Sequence, residues 1–313
     1  MSLALYRKYR PSVFADVIGQ EHVTVPLSNA LESGRTHHAY LFSGPRGCGK
    51  TSSARIMARS LNCEKGPTPN PCGECQSCKD LVANGPGSLD VIELDAATHG
   101  LVDDARDLRD KAFYAPVHSR YKIYIIDEAH QLGPGAANAL LKVVEEPPAH
   151  VLFIFATTEP EKLKDTIFGR CITLHFMPIS NELISERLSD ICEQEYFEAD
   201  TSAIFNIARA SSGCMRLAIQ LLEKCSTTCH GSKITDSVVA NCCGIVSEGF
   251  YEDVVKFILD RDATGALLKI NQAIVSGISP FDFIAGLVSV IRNILLIRTC
   301  KNVNKMSNVS TIS

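Results

Sequence analysis

The sequence predicts an α/β fold: a parallel β-sheet domain built around a phosphate-binding loop, followed by two smaller helical regions. Three observations predict it. Strand-like and helix-like runs alternate through residues 1–177, the pattern of parallel strands joined by helical crossovers. Gly44-Pro45-Arg46-Gly47-Cys48-Gly49-Lys50-Thr51 fits G-x-x-x-x-G-K-[ST] in full, between a strand and a helix. Beyond Pro178 the apolar spacing turns helical throughout.

Ala39–Ser43 is a short apolar strand that feeds the glycine loop. Ala54, Met57, Ala58 and Leu61 fall at i, i+3, i+4 and i+7, one face of the helix that follows. Val91–Leu94, Ile123–Ile126 and Val151–Ala156 are buried-strand runs, rich in β-branched and aromatic residues. After Pro178, Ile184, Leu188, Ile191 and Cys192 share a helical face, Ile204, Ile207 and Ala208 repeat that spacing, and Gly213 separates two helices. A third region from about Val246 is again helical, with Val254, Ile258 and the apolar run Phe283–Ile297. Arg292 and Asn293 interrupt that run, which therefore reads as an amphipathic packing helix. Lys301–Ser313 is polar and expected to fray. The expected divisions are 1–177, carrying an insert at 63–78, then 178–245 and 246–313.

The chain has 313 residues, 45% of them hydrophobic and 21% charged, with a net charge of −4. Those values exclude a disordered chain, a collagen-like chain and a coiled-coil rod. No run of 18 or more apolar residues occurs, so no membrane partner is expected. The N-terminus has no apolar stretch behind Arg7 and Lys8, which argues against a secretory signal and for a cytoplasmic setting. In that reducing setting the 13 cysteines are not expected to build a disulfide framework. Residues 1–60 hold eight Lys/Arg against three acids, yet the whole chain is mildly acidic. A polyanion would be met by local patches and helix N-termini, not by a global field.

In the glycine loop, backbone N–H groups can turn inward around phosphates, and the helix N-terminus adds its positive dipole end. Lys50 would reach the β/γ-phosphates of ATP, and Thr51 would offer its hydroxyl to Mg²⁺. Ile123–Ile126 ends in Asp127 and Glu128. The first carboxylate can hold Mg²⁺, and the second can orient and deprotonate an attacking water. Val151–Ala156 ends in Thr157-Thr158-Glu159-Pro160, which reads equally as a γ-phosphate contact or as a turn. His130 reads as a polar strand-end residue with no catalytic role. Cys63, Cys72, Cys75 and Cys78 supply four thiolates within 16 residues. Two overlapping C-x2-C knuckles and a fourth Cys suit tetrahedral Zn²⁺ in a structural role. An iron–sulfur cluster and metal-free thiols are the rivals; the cluster pattern wants a further Cys before Pro, where Leu81-Val82 stands.

Together the loop, Asp127-Glu128-Ala129-His130, the Thr157-Thr158 strand end and Gly169-Arg170-Cys171 resemble the AAA+ ATPases. The four-Cys insert is more specific. With Tyr6-Arg7-Lys8-Tyr9-Arg10-Pro11, Phe14 to Gln20 and Ala139 to Pro148, it resembles the gamma/tau subunits of bacterial DNA polymerase III, the ATP-driven motors of the sliding-clamp loader. The resemblance runs from about residue 4 to about residue 245.

It implies an AAA+ domain, a small helical lid at 178–245 and a shortened helical collar for oligomerisation at 246–313. It implies that Gly44 to Thr51 bind ATP, that Asp127 holds the metal and that Glu128 is the base. Thr157 or Thr158 would be the sensor of the γ-phosphate. Arg170 would be the arginine finger, acting in trans on a neighbour's ATP; Gly169 stands where the family usually has Ser. Arg216 would be the second sensor, with Leu217 where Asp is common. Val17 and Ile18 would line the adenine pocket, and the four cysteines would bind zinc. The implied partners are further copies, delta and delta-prime subunits, the sliding clamp and primed DNA, within a nucleoid-associated polymerase assembly whose polymerising step lies in other chains. Two other readings are a nucleotide-binding scaffold without efficient hydrolysis and a DEAH-type helicase. A helicase needs a second motor domain, and the residues after Asp127 are mostly helical.

Overall fold

The computed structural model describes residues 3–82, 85, 87–99, 101–229, 231–243, 248–275 and 279–299. The expected boundary near 245 and the polar tail Lys301–Ser313 lie outside the described residues. The described chain divides into two compact units, residues 1–184 with 212–220, and residues 185–211 with 221 onward.

The first unit opens with α1 (Leu5–Lys8) and α2 (Glu21–Glu32), then β1 (Ala39–Ser43) and α3 (Lys50–Asn62). After α4 (Gln76–Asp80) come β2 (Val91–Asp95), α5 (Ala96–His99) and α6 (Val102–Ala112). Next are β3 (Lys122–Asp127), α7 (Pro134–Glu145), β4 (Val151–Thr157), α8 (Asp165–Phe168) and β5 (Ile172–His175). All strand pairs are parallel, in the order β2-β3-β4-β1-β5.

Both faces of the central strands are buried, which is why β1 and β4 read as continuous apolar runs. The pleat sends alternate residues to opposite faces. Ile123 and Ile125 pack with Phe42, Ile56, Met57 and Ile154. Tyr124 and Ile126 pack on the other face with Leu41, Phe153, Leu140 and Val144. Each such side chain, taken fully out of water, stabilises the fold by about 1.5–3 kcal/mol. The four expected strands are present. β5 was not expected from sequence. Its residues are exposed or half-buried and it pairs with β1 alone, so it lacks the apolar signature of its neighbours.

The register sets the strand ends side by side. Ser43 pairs with Thr157 across β1 and β4, and β3 lies on the far side of β4. The end of β4 thus sits between the glycine loop and the Asp127-Glu128 pair, at the crevice where open α/β sheets bind ligands.

Helix α9 (Asn181–Glu195) bridges into the second unit, which holds α10 (Thr201–Ala210) and, beyond the Met215–Cys229 helix (α11), α12 (Asp236–Cys243). Asp236 ties α12 to α10, accepting from Ser202 Oγ at 2.6 Å and Asn206 Nδ2 at 2.8 Å. Then come α13 (Glu248–Leu259), α14 (Ala263–Val275) and α15 (Pro280–Thr299). Tyr251, Val254, Ala273 and Phe283 form their core. Phe283, Leu287 and Val290 lie on the inner face of α15 at helical spacing, as the amphipathic reading requires, while Ile284, Val288 and Leu295 are exposed. Among the described residues, no helix is long and apolar enough to cross a membrane.

Candidate functional site

The loop from Gly44 to Gly49 links β1 to α3 with φ of +136° at Gly44, +72° at Gly47 and +107° at Gly49. Two of these glycines are also required by space. A Cβ on Gly44 would fall 2.2 Å from the carbonyl oxygen of Phe176, and one on Gly47 would fall 2.2 Å from Cys214 Sγ. Pro45, Arg46 and Cys48 complete the loop, with the Cys48 thiol 3.6 Å from Gly213 O. Burial pushes that thiol up to about 11 and keeps it unreactive.

Lys50 is buried, and its ammonium donates to Gly44 O at 2.8 Å and Pro45 O at 2.7 Å. Burial lowers its pKa, opposed by the nearby Cys48, Glu128 and Asp127. Such a desolvated cation gains more from a phosphate oxygen than from a neutral carbonyl. Thr51 Oγ1 donates to Asp127 Oδ2 at 2.7 Å, so the two expected Mg²⁺ ligands already touch.

Glu128 has a left-handed backbone, φ +48° and ψ +44°, which turns its side chain from the strand direction at a cost of about 1–2 kcal/mol. Its carboxylate accepts from Thr158 Oγ1 at 3.2 Å and lies 3.6 Å from Arg46 Nε and 3.6 Å from His130 Nδ1. Thr157 is fully buried, and its hydroxyl faces His130 instead, at 3.0 Å. Of the two threonines, Thr158 is the one that reaches Glu128.

Val17 is buried, with Cγ1 3.3 Å from where a Gly49 Cβ would lie; Ile18 is half-buried beside it. Arg216, at the start of α11, has its Cβ 3.2 Å from the Gly47 Cβ position. Arg170 is engaged elsewhere. It pairs with Glu145 at the end of α7 and donates to Thr166 O at 2.6 Å.

Sequence reasoning missed Arg10. Its Nε donates to Ser52 Oγ at 3.1 Å, one residue beyond Thr51. Its pKa falls to about 10 through burial and the neighbouring Arg55 and Arg216, against the pull of Glu93 and Asp127. The signal was present in Tyr9-Arg10-Pro11, but only the fold brings that segment onto α3.

The second constellation is the cysteine insert. The Sγ atoms of Cys63, Cys72, Cys75 and Cys78 all lie within 4.8 Å of one another. The backbone N–H of Cys72 donates to Cys63 Sγ at 3.3 Å, and that of Cys75 to Cys72 Sγ at 3.4 Å. N–H donors favour thiolates, and the N–H groups of Cys75 and Glu74 bring Cys72 down to about 6. Four convergent sulfurs fit a closed tetrahedral metal site with no open position. Arg120 anchors the insert by donating to Cys63 O at 3.0 Å, Glu64 O at 2.8 Å and Gly66 O.

Comparison with known proteins adds the following. A family model described as DNA polymerase III, delta subunit matches residues 19–180. DNA polymerase III subunit gamma/tau of Mycobacterium tuberculosis H37Rv is 48% identical over 297 residues, covering 95% of this chain and 51% of that protein. DNA polymerase III subunit tau of Escherichia coli K12 is 40% identical, covering 94% and 45%. DNA polymerase III subunit gamma of Buchnera aphidicola is 39% identical, covering 86% and 73%. The chain spans about half the length of the first two. Among solved structures, the Thermotoga maritima RuvB Holliday junction branch migration motor superposes with a TM-score of 0.57 at 20% identity, covering 81% of this chain and 80% of that one. That likeness shows the fold, an AAA+ α/β domain with a helical region.

Proposed function

The chain belongs to the DNA polymerase III gamma/tau family, and from that premise we propose that it is an ATP-hydrolysing motor subunit of a clamp loader. The observation that carries the ATPase reading is the convergence of Lys50, Thr51, Asp127, Glu128 and Thr158 at adjacent ends of β1, β3 and β4.

The loop amides from Gly44 to Gly49 and the first turn of α3 receive the phosphates. Lys50 leaves its two carbonyl partners for the β- and γ-phosphates. Thr51 and Asp127 would hold Mg²⁺, which when bound would neutralise negative charge on the β- and γ-phosphates. Glu128 orients the attacking water and takes its proton. Thr158 bonds Glu128 and stands as the sensor of the γ-phosphate, a reading supported by Thr157 being committed to His130. Val17 and Ile18 border the base, and Arg216 closes over the loop.

Arg170 is the finger that completes a neighbour's site. A trans finger is worth roughly 10³–10⁵ in rate in related phosphoryl transfer, so hydrolysis is tied to assembly. Residues 178–245 are read as the lid and those from 246 as collar. The partners are further copies, delta and delta-prime subunits, the sliding clamp and primed DNA in the bacterial cytoplasm. In this cycle the ATP-bound assembly holds the clamp open, and hydrolysis releases it onto DNA. The cysteine insert is read as a structural zinc site, since its four donors leave no position for substrate.

The test is DNA-stimulated phosphate release by the reconstituted loader. Lys50→Ala abolishes nucleotide binding or turnover, Glu128→Gln binds without turning over, and Arg170→Ala binds ATP normally yet hydrolyses poorly in the assembly. Undiminished turnover in Lys50→Ala rejects the site. No phosphate release by the parent assembly, and no loss in Glu128→Gln, favours a scaffold.

A further inference from the structure

The side chain of half-buried His130 is only 7% exposed, and both ring nitrogens face partners. Nδ1 lies 3.0 Å from Thr157 Oγ1 and 3.6 Å from Glu128 Oε2. Nε2 lies 3.4 Å from Glu159 Oε1. Thr157 Oγ1 already accepts the backbone N–H of Glu159 at 3.1 Å. A hydroxyl has one proton to give, and the acceptor within reach for that of Thr157 is His130 Nδ1. The ring proton then sits on Nε2, where Glu159 accepts it. Both ends of the ring thus agree on Nε2 as the donor and Nδ1 as the acceptor.

The consequence falls on Glu128. The ring nitrogen closest to its carboxylate carries a lone pair and donates nothing to it. A proton there would bond Glu128 and draw the carboxylate toward the protein. We propose that His130 is a positioning residue for hydrolysis: held by the Thr157 hydroxyl, its Nδ1 adds no second donor to the Glu128 Oε2 that already accepts Thr158, and the carboxylate stays free to take a proton from water. This rests on reading Glu128 as the base. It gives His130 a role beyond the polar strand end that the sequence suggests.

Substitution separates the two ring nitrogens. Asn puts an amide oxygen near the Nδ1 position and keeps an acceptor for Thr157. Gln reaches the Nε2 position and leaves Thr157 without one, and Ala removes both. The measurement is kcat for ATP in the assembled loader, alongside equilibrium ATP affinity. His130→Ala and His130→Gln are expected to lower kcat roughly 10- to 100-fold, the range for a misplaced reacting group, with ATP affinity unchanged. His130→Asn is expected to recover most of that loss. Equal activity of the Asn and Gln variants, full activity of the Ala variant, or a loss of ATP affinity that parallels kcat would overturn the proposal. A Lys50→Ala control that hydrolyses like the parent would instead overturn the reading of the site itself.

Discussion

Gly47→Ala tests the contact between the phosphate loop and the start of α11. Gly47 has φ +72°, and an added Cβ would sit 2.2 Å from Cys214 Sγ. Ordinary van der Waals contact begins at 3.4 Å, so the sulfur must retreat by at least 3.4 − 2.2 = 1.2 Å. The left-handed backbone costs an L-residue about 1–2 kcal/mol. Forcing the loop and the Cys214–Arg216 segment apart adds about 1–3 kcal/mol of overpacking strain. The expected loss is their sum, about 2–5 kcal/mol. Cys214→Ala removes the sulfur and leaves Arg216 Cβ, at 3.2 Å, as the tightest neighbour. Gly47→Ala in that background should therefore cost only the backbone part, giving a coupling of about 1–3 kcal/mol. Urea unfolding followed by far-UV circular dichroism measures all four members of the cycle. Binding of a fluorescent ATP analogue should weaken in Gly47→Ala and recover partly in the double variant. An equal loss in both backgrounds would refute the argument, because the strain would then owe nothing to the thiol.

Three further predictions concern the supports of the two sites. Arg120→Ala removes the bonds to three carbonyls of the cysteine insert; zinc affinity by chelator competition should weaken about 10-fold, as for lost outer-sphere support, and an unchanged affinity would remove the anchoring role. Elemental analysis should find one zinc per chain, whereas a brown sample carrying iron would reverse the choice of metal. Buried Asp90 accepts the N–H groups of Val117, His118 and Ser119 at 2.7, 2.9 and 2.8 Å. Burial alone would raise its pKa, but these donors outweigh burial and hold it below 3.8. Asp90→Asn should cost about 1–3 kcal/mol at neutral pH. The folded pKa is the depressed one, so the carboxylate's contribution is complete above about pH 4 and fades as pH falls through the folded value. The gap between parent and Asp90→Asn should narrow below that point, and a constant gap down to pH 2 would contradict the assignment.

The parts legible in the sequence are those fixed by local chemistry. The phosphate loop depends on glycines with φ > 0 and on a helix that starts at Lys50, and both are properties of one short segment. The cysteine insert is similar, since a knuckle of N–H groups around sulfur is set by C-x2-C spacing. Strands β1, β3 and β4 were readable because burial on both faces leaves an unbroken apolar run. Edge strand β2 was still readable from Val91, Ile92 and Leu94; β5 was not, because its residues are exposed or half-buried and Thr173 and His175 break its apolar run.

Residue identity and spacing determined that this chain would carry a glycine-rich loop before a helix, an adjacent pair of carboxylates after an apolar strand and four clustered cysteines. The fold alone decided which side chains those groups meet. Arg10 reaches Ser52 across 42 positions, Cys214 seats itself over Gly47, and His130 finds Thr157 on the adjacent strand. Thr157 and Thr158 are equivalent as letters, yet one is sealed against His130 and the other bonds Glu128. The end of the strand chooses between them: Thr157 is the last residue of β4, fixed by its pairing with Ser43, while Thr158 lies one residue past it, where the chain turns toward Glu128.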